Sequence, residues 1–199
     1  MKRIWSGGAS DTGGPDLSTL MTEEDNETDS HLINYEILGL LAYHLELSEK
    51  RVIPFEETKD ILESLLKLYS AGLTMSNEFE DVHSLIDENV KAQTDAGKNL
   101  RVFLSRNDQS HYDIRSFYLD RLLKMASLLL DTSMVVKQGL CSSKGYMAGY
   151  THYRQAMPVA VSTYFDHVCA TLNDLSLDSI SMPENNIFSA LSMSIILTV

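Results

Sequence analysis

The sequence predicts an all-α fold, and three observations carry the prediction. Apolar residues recur with helical spacing in several consecutive segments. No segment shows sustained two-residue alternation, and no repeat of fixed period is evident. The stretch after Ser105 runs without proline or glycine until Gly139. About thirty helical residues would span about 45 Å. This stretch is apolar almost all round, through Ile114, Phe117, Leu119, Leu122, Leu123, Met125, Leu128 to Leu130, Val135 and Val136, so it is expected to lie inside a bundle.

The elements follow in order. Residues 6–16 are rich in Gly, Ser and Asp and read as a loop or mobile arm. The run Glu23-Glu24-Asp25 reads as a solvated helix start or loop. From about His31 the pattern becomes helical, with Leu32, Tyr35, Ile37, Leu38, Leu41 and Leu45 on one broad face. Pro54 opens a second helix, where a missing N–H is tolerated, and Gly72 ends it. A third helix is expected over Phe79–Gln93, broken by Gly97. Ser105, Asn107 and Asp108 are residue types that cap helices, and they open the long one. Residues 139–157 read as a Gly/Ser-containing connection, and a last helix is expected from about Pro158 to Leu175. The domain boundaries expected are 1–104 for a small N-terminal helical domain, 105–178 for the start of a central bundle, and 179–199 for an atypical apolar tail.

Composition excludes several functions. The 199 residues carry 16 Lys+Arg against 28 Asp+Glu, a net charge of −12, which disfavours nucleic acid as a partner. The 44% hydrophobic content argues against a disordered chain. Residues 1–90 hold 6 basic and 19 acidic residues, while residues 91–199 hold 10 and 9, so a polyanionic substrate is better tolerated near the second half. Cys141 and Cys169 cannot make a disulfide scaffold. The start Met1-Lys2-Arg3-Ile4-Trp5 is followed by no apolar h-region, so no signal peptide is expected. The uncharged tail from Ile187 to Val199 is shorter than the roughly 20 residues a membrane span needs. A cytoplasmic protein without membrane partners is expected.

Three polar clusters could carry chemistry. Glu80-Asp81-Val82-His83 places carboxylates beside an imidazole, a pairing that tunes a proton donor or binds a cation. It serves equally as an acidic helix first turn. Ser105-Arg106-Asn107-Asp108-Gln109 opens the long helix, where free N–H groups suit a carboxylate, Arg106 a bidentate clamp and Asn107 an amide donor. The same residues serve as a cap with a surface arginine. Gly149-Tyr150-Thr151-His152-Tyr153 sets a hydroxyl beside an imidazole in a connection, suited to binding a carboxylate and moving a proton, or simply solvated. No zinc motif or phosphate loop is present, and His44, His111 and His167 lack helical metal-site partners. No metal and no cofactor are expected.

Taken together the clusters resemble the N-terminal portion of the argininosuccinate lyase family, in the fumarase/aspartase superfamily. The resemblance rests on Ser105-Arg106-Asn107-Asp108-Gln109 opening a long apolar helix, and on Gly149-Tyr150-Thr151-His152 followed by Ala156, Pro158 and Val159. Glu80-Asp81-Val82-His83 matches a third family segment in the right order. Asp29 and Tyr35-Glu36-Ile37 look like its first-helix region, and Trp5, Gly7 and Gly8 like its Trp-Gly-Gly motif.

The resemblance implies reversible elimination of argininosuccinate to arginine and fumarate, in arginine biosynthesis, by a homotetramer around a helix bundle. A proton is removed next to a carboxylate, a doubly charged aci-carboxylate forms, and the guanidinium nitrogen leaves. It implies that His152 is the acid/base histidine and that Asn107 and Thr151 bind substrate carboxylates. Ser105, Arg106, Asp108 and His83 would be supporting site residues. A related lyase of another succinyl-amine, such as adenylosuccinate, and a non-catalytic helical interaction protein retaining the fold are the alternatives.

The departures are specific. Arg101-Val102-Phe103-Leu104 stands where the family shows His-Thr-Gly-Arg. Tyr153-Arg154-Gln155-Ala156-Met157-Pro158 replaces Leu-Gln-Arg-Ala-Gln-Pro, Ala9 and Ser10 replace Arg-Phe, and Asp25 replaces a substrate-binding serine. The family's catalytic serine lies on a Gly-Ser-Ser-x-Met-Pro-x-Lys-x-Asn loop in a chain more than twice as long. Ser179 to Asn185 echoes that loop by coincidence. A truncated or frame-shifted product, inactive alone, is therefore expected.

Overall fold

The computed structural model describes residues 26–76, 79–140 and 142–190, with side chains as far as Met182. The readings of Trp5, Gly7, Gly8, the 6–16 arm, Asp25, Cys141 and the tail beyond Ala190 lie outside these residues. After a helical turn at residues 26–30, the chain forms α1 (Ile33–Glu49), α2 (Phe55–Ala71), α3 (Val82–Gln93), a 3-10 turn (Asp95–Asn99), α4 (Arg106–Gly139), four two-residue strands and α5 (Val161–Ala190). It divides into two compact units, the first reaching Phe117 and the second starting at Tyr118.

In the first unit α1, α2 and α3 pack around Ile37, Ile61, Leu65, Ile86, Val90 and Leu100, all essentially inaccessible to water. Each such side chain contributes about 1.5–3 kcal/mol through burial. The buried face of α1 differs from the expected one. Leu38 and Leu45 are exposed, whereas Glu36 and His44 are buried among Ile33, Ile37, Leu40 and Leu47. Apolar residues occupy so much of this helix that periodicity alone does not orient it. Pro54 precedes α2 at its N-cap, and Gly72 ends α2 in the left-handed region with φ 71°. The third helix begins at Val82 rather than Phe79, because Asp81 caps it. The Asp81 carboxylate accepts from Ser84 N at 2.7 Å, and Asp81 N donates to Ser84 Oγ at 3.1 Å. It ends at extended Thr94, so Gly97 lies in the following turn and does not break the helix.

In the second unit α4 and α5 run antiparallel on small residues. Ser133 Oγ donates to Cys169 O at 3.5 Å, and Ser176 Oγ donates to Ala126 O at 3.2 Å. These four residues are buried, seven positions apart on each helix. Short side chains let the two backbones approach. That packing carries α5 past Leu175, where it was expected to stop, to Ala190. Between the helices, β1 (Tyr146–Met147) pairs antiparallel with β4 (Val159–Ala160), and β2 (Tyr150–Thr151) with β3 (Arg154–Gln155). Among the described residues no helix is long and apolar enough to cross a membrane.

Candidate active site

The start of α4 is built as a reciprocal cap. Ser105 Oγ donates to Asp108 Oδ2 at 2.6 Å, and Asp108 N donates to Ser105 Oγ at 3.2 Å. With Ser105 and Asp108 satisfying each other, Asn107 is left exposed in the first turn. Free N–H groups and the positive end of the helix dipole lie in that turn. Arg106 Nη1 pairs with Asp81 Oδ2 at 2.7 Å, which ties α4 to the cap of α3. The Asp108 charge also acts on Tyr43. Burial first, and that charge second, raise the Tyr43 phenol above its usual range.

The turn before α4 is held from α1. Tyr43 donates from its hydroxyl to Val102 O at 2.7 Å, and the buried His44 donates from Nε2 to Leu100 O at 2.9 Å. Burial lowers the His44 pKa, opposed by the Leu100 bond. Phe103 sits in the left-handed region with φ 60° and its ring is exposed. The resemblance places it at the family's glycine, the residue suited to that backbone.

Behind this lies a group that no sequence spacing announces. Glu36 on α1, His83 on α3 and Asp113 on α4 bring one ligand-type atom each within 4.8 Å of one another, and all three residues are buried. His83 Nδ1 lies 3.4 Å from Glu36 Oε1 and 3.9 Å from Asp113 Oδ2. Its Nε2 is bonded to Ser110 Oγ at 3.0 Å, and Gln109 donates from Nε2 to Glu36 Oε1. Burial first, then the adjacent Glu36 charge and a hydrogen bond to Glu36, push the Asp113 carboxyl up to about 10, with a further contribution from Asp29. Asp113 is therefore held protonated at neutral pH.

His83 also borders a cavity of about 450 Å³, with Thr28, Asp29, Glu80, Asp81 and Ser110 on its wall. Three carboxylates there favour a cationic group, such as a guanidinium or ammonium. Asp29 Oδ2 accepts from Val82 N at 3.0 Å and so joins the residue 26–30 turn to α3.

Thr151 and His152 belong to the second unit. Both are exposed, Thr151 on β2 and His152 in the two-residue turn to β3. His152 and Tyr153 have φ of 47° and 60°. A two-residue hairpin turn with both residues left-handed is normally filled by Asn-Gly, so a histidine there holds a costly conformation. Gly149 supports the hairpin. A Cβ on it would collide with Met157 O, and Ala156 N donates to Gly149 O at 2.7 Å.

Five of the seven expected residues, Ser105, Arg106, Asn107, Asp108 and His83, fall in the first unit. Glu36, Asp113, Gln109 and Ser110 are the additions. Gln109 stood within a noted motif. Asp113 carried no sequence signal beyond a polar residue on an apolar helix.

No family model matches the chain. It is 31% identical over 165 residues to argininosuccinate lyase of Archaeoglobus fulgidus, covering 83% of this chain and 34% of that protein. It is 30% identical over 170 residues to argininosuccinate lyase of Natranaerobius thermophilus, covering 81% and 34%. To that of Nitrosopumilus maritimus it is 33% identical over 156 residues, covering 76% and 32%. The chain thus spans about a third of the length of the curated relatives it matches. A solved EDDS lyase variant with bound fumarate has the same fold over 86% of this chain and 35% of that one, with TM-score 0.66 and 16% identity. The fold is of the fumarase/aspartase lyase type.

Proposed function

From the premise that this chain is related in sequence to the argininosuccinate lyases and shares the lyase fold, we propose that it supplies part of the machinery of an argininosuccinate lyase. The reaction is the reversible elimination of argininosuccinate to arginine and fumarate, in arginine biosynthesis. One observation carries this reading, the reciprocal Ser105–Asp108 cap that leaves Asn107 exposed at the N-terminus of a 34-residue helix. That arrangement supplies preorganised donors for a carboxylate whose charge grows as the α-proton leaves.

In this reading Asn107 and Thr151 bind substrate carboxylates. His152, strained and exposed at a hairpin tip, exchanges the proton. Arg106 acts through its Asp81 pair as a brace between α3 and α4. Ser105 and Asp108 hold the first turn of α4, and His83 borders the acidic cavity, which suits the substrate's cationic end. The assembly is a cytoplasmic homotetramer in which copies of α4 form the central bundle.

Release of fumarate from argininosuccinate tests the reading. The chain would be assayed alone and mixed with the C-terminal two-thirds of the Archaeoglobus fulgidus enzyme. Activity is expected in the mixture, with loss on His152→Ala or Asn107→Ala in this chain. Rates unchanged by both substitutions would overturn the site assignment. The exposed Phe103 favours one second reading, a lyase acting on another succinyl-amine. Release of fumarate from adenylosuccinate, and none from argininosuccinate, would select it.

A further inference from the structure

Glu36 on α1 is gripped from two successive turns of α4. Gln109 donates from Nε2 to Glu36 Oε1, and Asp113, four residues further and so on the same face of the helix, hydrogen-bonds to the Glu36 carboxylate. His83 on α3 turns Nδ1 toward Glu36 Oε1 at 3.4 Å and Nε2 toward Ser110 Oγ at 3.0 Å. Asp113 has no accessible surface and Glu36 is 2% exposed. Neither Asp113 oxygen accepts a hydrogen bond, and among the described residues no lysine or arginine pairs with either carboxyl group. An ionised Asp113 would be a dry charge without a donor, beside a second carboxylate. A neutral acid instead offers an O–H that Glu36 accepts. The titratable groups around Asp113 are Glu36, His83 and, from the residue 26–30 turn, Asp29.

We propose that Asp113 is a positioning residue, whose O–H, together with the Gln109 amide, clamps the first two turns of α4 to Glu36 and so holds the turn that carries Asn107. A hydrogen bond from a neutral acid to a carboxylate is charge-assisted and stronger than one between neutral groups. Arg106 ties the same turn of α4 to Asp81 at the cap of α3, so the start of α4 is fixed from two helices at once. The clamp depends on one proton. Losing it removes the donor and leaves two like charges facing each other away from water, so the clamp holds at neutral and acid pH and opens in alkaline solution. That the held turn presents Asn107 to a substrate carboxylate rests on the lyase reading. The clamp itself does not, and its test uses no substrate.

The test uses the full chain. Its infrared spectrum at pH 7 should show the band of a protonated carboxyl, absent from Asp113→Asn. Asp113→Asn keeps a donor to Glu36 that needs no titrating proton, whereas Asp113→Leu keeps the size and removes the donor. In hydrogen exchange at pH 7, amides 110–116 should be protected alike in the parent and Asp113→Asn, and about tenfold less in Asp113→Leu. Amides 126–136 of the same helix should not change. Urea unfolding from pH 5 to 9 reads the proton itself. The folded chain keeps a proton that the unfolded chain releases above about pH 4, so the parent loses stability with rising pH relative to Asp113→Asn. The ratio of their unfolding constants should change by up to about tenfold per pH unit, and a merely structural role would leave it flat. Circular dichroism checks that each variant is folded. If one is not, the parent's band decides, expected at pH 7 and lost only in alkaline solution. A parent without that band, a ratio flat with pH, or amides 110–116 as protected in folded Asp113→Leu as in the parent would overturn the proposal.

Discussion

Replacing Gly39 by alanine tests how α1 and α4 are allowed to bring Glu36 and Asp113 together. A Cβ at position 39 would lie 2.5 Å from Tyr112 Cε1, 2.8 Å from Cδ1 and 3.3 Å from Cζ. Carbon atoms prefer about 3.5–4.0 Å, so the ring or the helix must retreat by about 1 Å. Gly39 stands one turn after Glu36 and Tyr112 immediately before Asp113, so that retreat falls on the buried group. Two effects oppose each other. Alanine improves an α-helix by about 0.8–1.0 kcal/mol over glycine. Overpacking costs about 1–3 kcal/mol. The net expectation for Gly39→Ala is a loss of about 1 kcal/mol. In a Tyr112→Ala background the ring is gone, and the same change should stabilise by about 1 kcal/mol. The coupling between the two sites is then about 2 kcal/mol, read from urea midpoints of the four proteins in a double-mutant cycle. Full propensity gain in the parent background, or a coupling near zero, would refute the close approach.

Other outcomes follow from single features. Phe103→Gly should stabilise the chain by about 1 kcal/mol in urea unfolding, since φ is 60° there and the ring is exposed. A destabilised variant would mean that the ring packs against something. His44 should make stability fall on acidification below about pH 6.5. Its folded pKa is lowered, so the unfolded chain binds the proton first, with a slope of at most about 1.4 kcal/mol per pH unit. His44→Gln should flatten that part of the urea-midpoint profile, and an unchanged profile would refute the assignment. Exposed Leu123, Leu128, Met134 and Val135 on α4, with Leu177 on α5, should drive self-association. A monodisperse monomer in light scattering would count against it.

Where local rules decide, the sequence was sufficient. The helical class, the opening of α4 at the Ser105–Asp108 cap, its end at Gly139 and the stop of α2 at Gly72 are properties of short segments, and the structure has them. The likeness to argininosuccinate lyases was also legible, because its motifs are contiguous. Two further features were not. The burial of Ser176 on Ala126 extends α5 through a stretch whose own composition gives no helical face. The orientation of α1, with Glu36 and His44 inward, depends on which neighbours cover it.

The buried Glu36–His83–Asp113 group marks the same division most sharply. Periodicity, caps and motifs act over a few residues, and they determined the elements and the polar clusters near Asp81, Asn107 and His152. Glu36, His83 and Asp113 lie on three helices, and only the packing that removes water from all three at once turns ordinary polar residues into a buried group in which Asp113 stays protonated. Desolvation is a property of what surrounds a side chain, so the tertiary structure alone decided it.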